Sequence, residues 1–324
     1  MAAGLLILVF VSFLAGRYPL SVRDIAICLK YGISPEPPPA DANLLNVFYR
    51  IRVPRIFLAC ITGAALSVAG TAYQAVFQNV MASPDILGAS SGAAFGAALF
   101  ILLSRPAAEI TGAAFLFSVL TVFFSWFISE KGQGKKVQLL ILSGMAVSSL
   151  MNAGISYLKL AADPESQLAA ITYWLMGSLS GAETKDLLTA GIPVLVGSVP
   201  LFMLRWRINL LTLGDEEADT LGIDAGKLRK TVILCSTLIT AATVSVTGII
   251  GWVGLLVPHI CRRIVGNNCR FLLPASMIFG AGFLLAVDDI TRILFPAEIP
   301  IGILTSFIGV PFFLYLITRK GDRL

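Results

Sequence analysis

Ten apolar segments separated by short polar connections dominate this chain of 324 residues. About 20 predominantly apolar residues are needed to cross the hydrocarbon core of a bilayer, which is about 30 Å thick. Only 13% of the residues are charged, whereas about a quarter are charged in a typical soluble domain. The pattern predicts an all-α polytopic bundle that forms one transmembrane domain over residues 1–324. The predicted spans are 1–15, 54–77, 88–103, 110–128, 138–160, 187–204, 231–247, 249–266, 271–289 and 300–317, with a short surface helix at 168–177.

Several of these spans are short or interrupted, which favours a transporter over a simple membrane anchor. Segment 88–103 is short for a bilayer, and Pro258 interrupts the helix predicted over 249–266. Broken helices are tolerated where they pack inside protein, as they do in transporters. Two segments of the chain, ALSVAG at 65–70 and TVSVTG at 243–248, are weakly similar, which indicates the inverted-repeat character of many transporter folds.

The chain carries no pattern typical of an enzyme, a metal site or a nucleic-acid-binding surface. It has no Walker A motif, so we expect no ATP hydrolysis and no catalytic residue in this polypeptide. His259 is the sole histidine, and the five cysteines match neither a metal nor a disulfide spacing, so no metal or cofactor is expected. The net charge of +5 is spread over short loops and predicts no nucleic-acid partner.

The placement of lysine and arginine predicts the orientation in the membrane. Cytoplasmic loops are usually rich in these residues, and ten spans with both termini cytoplasmic satisfy this rule for most loops. The inner cations would be Lys131, Lys135, Lys136, Arg205, Arg207, Lys227, Arg229, Lys230, Arg262, Arg263, Arg270, Arg319, Lys320 and Arg323. The first outer loop is an exception, with Arg17, Arg23, Lys30, Arg50, Arg52 and Arg55. Either this loop crossed the membrane with its charges, or it meets an acidic partner outside.

The largest inner loop, about residues 205–230, contains a predicted short helix bracketed by glycines. We call this loop, about residues 205–230, the coupling segment. Acidic residues stand at the predicted first turn, where the helix dipole favours negative charge. A solvated loop helix and a knob that docks into a cytoplasmic partner both fit this pattern. The candidate docking residues are Gly214, Asp215, Glu216, Ala218, Leu221 and Gly222.

Polar side chains in two spans leave further alternatives open. Gln74, Gln78 and Asn79 are placed in the inner half of the second span, where Gln74 and Gln78 would share a face. Amides in spans bind neighbouring helices and sometimes line a polar path. Asp288 and Arg292, four residues apart at the outer end of the ninth span, form either a helix cap or a functional pair. No acidic residue or histidine is expected in mid-span, which argues against coupling to protons or sodium.

The order of motifs along nearly the whole chain resembles the FecCD family of binding-protein-dependent permeases. That family imports iron-siderophores, haem, cobalamin and related chelates. One departure is NVMA at 79–82, where the family usually has Asn-Pro-Leu-Ala, so the turn after the second span lacks a proline. The matching positions are 52–56, 63–66, Gly70, Gln74, Asn79, 82–88, 91–93, 214–222, 254–259, Arg262, Asp288, Arg292, 300–302 and 309–313.

The resemblance implies the permease subunit of an ABC importer in the cell membrane of a prokaryote. It implies a homodimer or pseudo-dimer with ten spans per subunit, two ATP-binding cassette subunits inside and a substrate-binding protein outside. By the same resemblance, Arg52, Arg55 and Arg292 would dock the binding protein, and 214–222 would couple to the ATPase. Ferric siderophore is the expected cargo, with corrinoid, haem and molybdate as further options. The alternative is a secondary transporter with inverted repeats, which neighbouring genes for an ATPase and a binding protein would exclude.

Overall fold

The structure, a computed structural model, describes residues 1–33, 42–294 and 298–318. These residues form helices and no strand. The basic tail positions Arg319, Lys320 and Arg323 lie outside them. A π-helical turn, Asn46–Arg52, leads into α4, and a 3-10 turn, Pro84–Leu87, precedes α5. The helices are α1 Ala2–Leu14, α2 Val22–Ile33, α3 Ala42–Leu45, α4 Val53–Val76, α5 Ala89–Leu102, α6 Ala107–Lys131, α7 Lys136–Ala161, α8 Gln167–Leu175, α9 Thr184–Leu211, α10 Asp215–Thr220, α11 Ala225–Thr247, α12 Val253–Val265, α13 Cys269–Leu294 and α14 Ile301–Thr318.

The all-α membrane architecture predicted from the sequence is confirmed. Each of the ten predicted spans coincides with a helix, and α8 coincides with the predicted short helix. Among the described residues, six helices are long and apolar enough to cross a membrane, and three more are apolar but shorter. The ten-span count therefore stays a prediction. The six long stretches are Asn43–Val76, Ala107–Lys131, Lys136–Ala161, Thr184–Leu211, Ala225–Thr247 and Cys269–Leu294.

Helix α4 lies at the centre of the bundle and packs against α9, α11, α12 and α13. Small residues allow this close packing. A Cβ atom placed on Gly70 would lie 1.8 Å from the carbonyl oxygen of Gly254, and one on Gly63 would lie 2.2 Å from that of Gly280. Backbones in membrane bundles approach this closely where glycine removes the side chain. The small-residue stripe of α4 thus binds α12 and α13 within one chain.

The two ends of the bundle carry different groups. Helix α4 begins and α13 ends at what we call the arginine end. At the opposite end, which we call the α10 end, Gln78 Nε2 donates to the carbonyl oxygen of Leu211 at 2.9 Å. There the amide of Cys269 also donates to Asn209 Oδ1 at 3.0 Å. The end of α4, the end of α9 and the start of α13 therefore meet beside α10.

Candidate functional site

A buried ion network joins α4 to α13 at the arginine end. Arg55 Nη2 lies 2.9 Å from Asp288 Oδ1, and Arg55 Nη1 lies 2.9 Å from Glu298 Oε2, which precedes α14. On the next turn of α13, Arg292 Nε lies 3.0 Å from Asp288 Oδ2. The Asp288–Arg292 pair expected from the four-residue spacing is present, and it forms part of a larger network. Asp288 therefore bridges two guanidinium groups.

The same network reaches α1. Arg292 also pairs with Asp289, and the Ser12 hydroxyl donates to Asp289 Oδ1 at 2.6 Å. Arg52 is held differently, because its guanidinium donates to the backbone carbonyl oxygens of Phe13, near the end of α1, and of Tyr18, in the loop after α1. These bonds hold α1 and its following loop against α4 and α13.

Burial changes the interpretation of the three arginines. Arg52 is 4% exposed, Arg55 7% and Arg292 7%. No acidic residue lies close to Arg52 or Arg55 in the sequence. Arg55 is nevertheless paired, since its partners are supplied from 233 and 243 positions away. A buried charge of this kind is tolerated because it is paired and hydrogen-bonded.

The three arginines line a small cavity that opens at the arginine end. The cavity, which we call the arginine cavity, has a volume of about 170 Å³. Glu298, whose side chain is 32% exposed, lies at its border and pairs with Arg55. The cavity therefore offers cationic walls to an incoming group, with one internal carboxylate as a competitor. Its lining comprises Gly16, Arg17, Tyr18, Val47, Ile51, Arg52, Arg55, Arg292 and Glu298.

Within the coupling segment, α10 forms the expected short helix between two glycines that have positive φ angles. Gly214 has φ 129° and Gly222 has φ 79°, conformations that side chains other than glycine rarely adopt. Asp215 at the first turn pairs with Arg229 of α11. Together with the contacts of α10 to α9 and α11, this pair fixes the helix onto the bundle.

The two apolar residues predicted to face a partner from α10 differ in position. Ala218 is fully buried and packs in the chain's own core, whereas the Leu221 side chain is 59% exposed. Ala218 and Leu221, both candidate docking residues, therefore face different ways, because Ala218 packs against the bundle. Glu216, Glu217 and Asp219 are exposed on the outward side. Leu221 and these carboxylates form the outer surface of the coupling segment.

The amides at the end of α4 do not share one helical face, which corrects the expectation from their spacing. Helix α4 ends at Val76, and Gln78 takes a left-handed conformation with φ 49°. The chain turns there because the Asn79 amide donates to the Gln74 carbonyl oxygen at 3.2 Å. Gln74 is buried with its Oε1 atom unpartnered, whereas Gln78 and Asn79 are exposed at the α10 end.

An apolar concave surface lies along α14. It encloses about 630 Å³ and includes Phe307, which is 73% exposed, together with Val310. The remaining lining comes from the end of α8, the connection before α12 and the start of α14, namely Leu175, Met176, Ile249, Gly251, Gly302, Ile303, Ser306 and Pro311. In a membrane-spanning bundle, either lipid or another protein chain can cover an apolar surface of this kind.

No group of three or more His, Cys, Asp or Glu side chains that could hold a metal ion occurs within residues 1–33, 42–294 and 298–318. The five cysteines are free, and Cys28, Cys261 and Cys269 are buried. Their positions are those of small packing residues.

Sequence reasoning missed three members of the arginine-end network: Ser12, Asp289 and Glu298. The adjacent carboxylates Asp288 and Asp289 inside an otherwise apolar helix were the available signal, because charges in a span need partners. Ser12 and Glu298 gave no such signal, since a serine in a first span and a glutamate in a loop are unremarkable by themselves.

Comparison with known proteins agrees with this architecture. The model of the FecCD transport family matches residues 4–319. The molybdate import system permease protein MolB of Haemophilus influenzae is 38% identical over 321 residues, covering 98% of this chain and 94% of MolB. The hemin transport system permease protein HmuU of Yersinia pestis is 38% identical over 286 residues, covering 86% of this chain and 85% of HmuU.

A solved structure has the same fold. It shows an inward-facing conformation of a metal-chelate type ABC transporter, with a TM-score of 0.88 and 38% sequence identity. The match covers 97% of this chain and 96% of the other. Family model, relatives and fold agree over almost the full length, and the chain belongs to the FecCD transport family.

Proposed function

We propose that this chain is the membrane-spanning permease subunit of a binding-protein-dependent ABC importer. The observation that carries the proposal is the arrangement of two surfaces at opposite ends of one apolar bundle. The arginine cavity lies at one end, and the outer surface of the coupling segment lies at the other. A substrate-binding protein docks at the arginine end, and a separate ATPase subunit docks at the α10 end. The permease itself hydrolyses no ATP.

Docking at the arginine end proceeds through a carboxylate of the binding protein that enters the arginine cavity. A cavity of about 170 Å³ is of the size of one acidic side chain. The entering carboxylate replaces Glu298 as the partner of Arg55. Arg52 and Arg292, which line the cavity, add positive electrostatic potential. Arginine suits this exchange, because its planar fork holds a carboxylate through two hydrogen bonds. The exposed Arg23 and Arg50 steer the approach of an acidic partner.

Coupling at the α10 end uses Leu221 and the exposed carboxylates of α10. Leu221 fits an apolar depression on an ATPase subunit, and Glu216 and Glu217 meet its cations. Gly214 and Gly222 set the ends of the helix, and Asp215 with Ala218 anchors it to the bundle. A movement of the ATPase is thereby passed to α9 and α11, which this segment connects.

The transport path forms between two copies of the chain. The concave surface along α14 is apolar and exposed, which suits an interface with a second permease subunit. Gln78 and Asn79, which are exposed at the α10 end of the bundle, supply polar groups to the path there, whereas Gln74 is buried within the chain and does not reach it. Both termini face the cytoplasm, where the coupling segment also lies.

The cargo we propose is an iron chelate, with a ferric siderophore as the first candidate. Relatives of this chain are named for hemin and molybdate, so corrinoid, haem and molybdate are the alternatives to test. A cargo-binding assay on the binding protein encoded beside this chain, with each of these compounds as probe, would identify the substrate.

Reconstitution tests the proposed function directly. The full chain is placed in proteoliposomes with the ATPase and binding protein encoded beside it, and ATP-dependent uptake is measured. Replacing Leu221 by Glu should abolish uptake and transport-linked ATP hydrolysis. The control is Leu103→Glu, which alters an equally exposed leucine at the end of α5 away from α10. Uptake without the ATPase subunit, or full coupling in Leu221→Glu, would overturn the proposal.

A further inference from the structure

Two cavities adjoin between α6 and α11 at a place that the proposed transport function does not use. The first has a volume of about 490 Å³ and the second about 320 Å³. They share three lining residues, Trp126, Lys230 and Ile233, so they form one continuous groove. We call it the α6–α11 groove. One part is apolar and the other is charged.

The apolar part extends toward the middle of the membrane. It is lined by aliphatic and aromatic side chains of both helices, and Phe123 and Leu234 on its border are 50% and 69% exposed. Lys230 and Leu238 are eight residues apart on α11, a rise of about 12 Å at 1.5 Å per residue. One leaflet of hydrocarbon is about 15 Å thick. The lining residues are Val119, Val122, Phe123, Trp126, Lys230, Ile233, Leu234, Thr237 and Leu238.

The charged part lies at the α10 end, where α6 ends and α7 and α11 begin. Its lining contains four cations and two carboxylates. The carboxylates are engaged, since Glu130 pairs with Lys136 at 2.8 Å and Asp224 pairs with Lys227 at 2.9 Å. Of the other two cations, Arg229 pairs with Asp215, so Lys230 leaves this mouth with an excess of positive charge. The lining residues are Trp126, Ser129, Glu130, Lys136, Leu140, Asp224, Gly226, Lys227, Arg229, Lys230 and Ile233.

Two donor groups at this mouth, the Lys230 ammonium and the Arg229 Nε–H, have no ion-pair or hydrogen-bond partner within the described part of the chain. Lys230 makes no ion pair there, and its Nζ atom lies 4.6 Å from the centre of the Trp126 ring. Arg229 is 8% exposed and pairs with Asp215 through Nη2, but its Nε–H is buried without a hydrogen-bond partner. A buried donor left unpaired costs about 1–3 kcal/mol. An anionic acceptor at the mouth would satisfy both groups.

We propose that the α6–α11 groove binds one anionic phospholipid from the leaflet at the α10 end. The phosphodiester lies at the mouth beside Lys230 and Arg229, and one acyl chain lies in the apolar part. Trp126 stands between the two parts, at the level where tryptophan usually meets the headgroup region. Both properties of the groove point to this one ligand, because a free phosphate would leave the apolar part empty and an apolar helix would leave the cations unpaired.

Lipid binding of this kind would attach a headgroup next to the coupling segment. Arg229 contacts Asp215, the first residue of α10, and is also one of the residues that line the groove. The bound phosphate would hold Arg229 in place and thereby stabilise the base of α10. The inference concerns binding only, so it stands or falls independently of cargo and transport.

The test uses the full chain in nanodiscs made of phosphatidylcholine with 20% phosphatidylglycerol, a composition of about one anionic lipid in five. After transfer to detergent, native mass spectrometry counts the lipids retained on each chain. The wild type should retain one phosphatidylglycerol in preference to phosphatidylcholine. Lys230→Ala should lower this retention about fivefold, the factor expected for one lysine at an anionic surface.

A matched control separates a specific site from general surface charge. Lys131 lies at the same end on α6 and also contacts an aromatic ring, with Nζ 4.3 Å from the centre of Phe127, but it lines neither cavity. Lys131→Ala should leave retention unchanged. Leu234→Trp should reduce retention by obstructing the apolar part, whereas Leu195→Trp, at a similarly exposed leucine of α9, should not.

Three results would overturn the proposal. Equal loss in Lys230→Ala and Lys131→Ala would show general electrostatic attraction. Equal retention of phosphatidylcholine would remove the role of the anionic headgroup. Displacement of the lipid by millimolar inorganic phosphate, with no effect of Leu234→Trp, would show that the acyl chain makes no contribution.

Discussion

Arg55 and Asp288 are 233 positions apart in the sequence, yet Arg55 Nη2 lies 2.9 Å from Asp288 Oδ1. The pair joins the start of α4 to the end of α13. Asp288 is fully buried, so its charge depends on Arg55 and Arg292 for compensation. The arginine end is thus held together from inside, and any docking there takes place on an ion network that already exists.

Removing Arg55 should destabilise the chain strongly. Arg55→Gln leaves Asp288 with Arg292 as its remaining guanidinium, so we expect a loss near the lower end of the range for broken buried pairs, about 3 kcal/mol. Thermal unfolding in detergent measures it. Arg105→Gln, at an exposed pair with Glu109, should cost at most about 1 kcal/mol. Equal melting temperatures for the two variants would show that the buried pair contributes nothing.

Glu298 should compete with the binding protein for Arg55. Glu298→Gln removes the internal carboxylate from the border of the arginine cavity, so the affinity for the binding protein should rise by up to about fivefold, the range of a partly exposed pair. Binding to reconstituted permease is the measurement. Glu109→Gln, a carboxylate that does not line the cavity, serves as control. Weaker binding in Glu298→Gln would mean that Glu298 supports docking instead.

Substitution of Ala218 should affect stability, whereas substitution of Leu221 should affect ATPase binding. Ala218→Arg places a charge in the core and should destabilise the chain by more than about 3 kcal/mol. Leu221→Glu should leave stability within about 0.5 kcal/mol while it abolishes ATPase binding. Melting curves and co-purification of the ATPase distinguish the two effects. Normal stability in Ala218→Arg would contradict the burial of Ala218.

Gly70 should tolerate no larger side chain. A Cβ there meets backbone of α12 that cannot move aside as a flexible side chain would, so Gly70→Ala should cost about 3 kcal/mol, the upper range for overpacking. Gly112→Ala in α6, where a Cβ meets nothing within 4 Å, should instead stabilise by about 0.5–1 kcal/mol. Melting temperatures of the two variants should therefore shift in opposite directions.

Protonation of Asp24 should loosen the start of α2. The Ser21 hydroxyl donates to Asp24 Oδ2 at 2.7 Å, and this bond with that of the Ser21 amide lowers the pKa of Asp24. Because the folded pKa lies below the unfolded one, its stabilisation is present above the unfolded pKa and is lost as the pH falls through the folded pKa. Ser21→Ala should raise the Asp24 midpoint in a carboxyl ¹³C NMR titration, and Ser21→Thr should not. An unchanged midpoint in Ser21→Ala would exclude the hydroxyl as the cause.

Apolar length sufficed to locate the ten predicted spans, because an apolar segment in lipid must satisfy its backbone groups as a helix, but α2 and α3 in the first outer loop were not predicted. Apolar length did not suffice for contacts between distant segments. The pairing of Arg55 with Asp288 depends on how α4 and α13 align, and the burial of Ala218 depends on which side of α10 faces the bundle. The expectation that Gln74 and Gln78 share a helical face was wrong for a similar reason, since the turn after Val76 is set by its own hydrogen bonds rather than by apolar spacing.

Helix α4 has a consequence for how such a protein can change over evolution. It runs about 36 Å, from Arg55 beside the arginine cavity to the turn that ends in Gln78 beside α10. Nearly all of its side chains are enclosed by neighbouring helices. A rod packed on all sides has no freedom to adapt to a new cargo without disturbing both ends. Sequence changes that alter selectivity should therefore accumulate at the exposed residues of α14, while the sequence of α4 changes little.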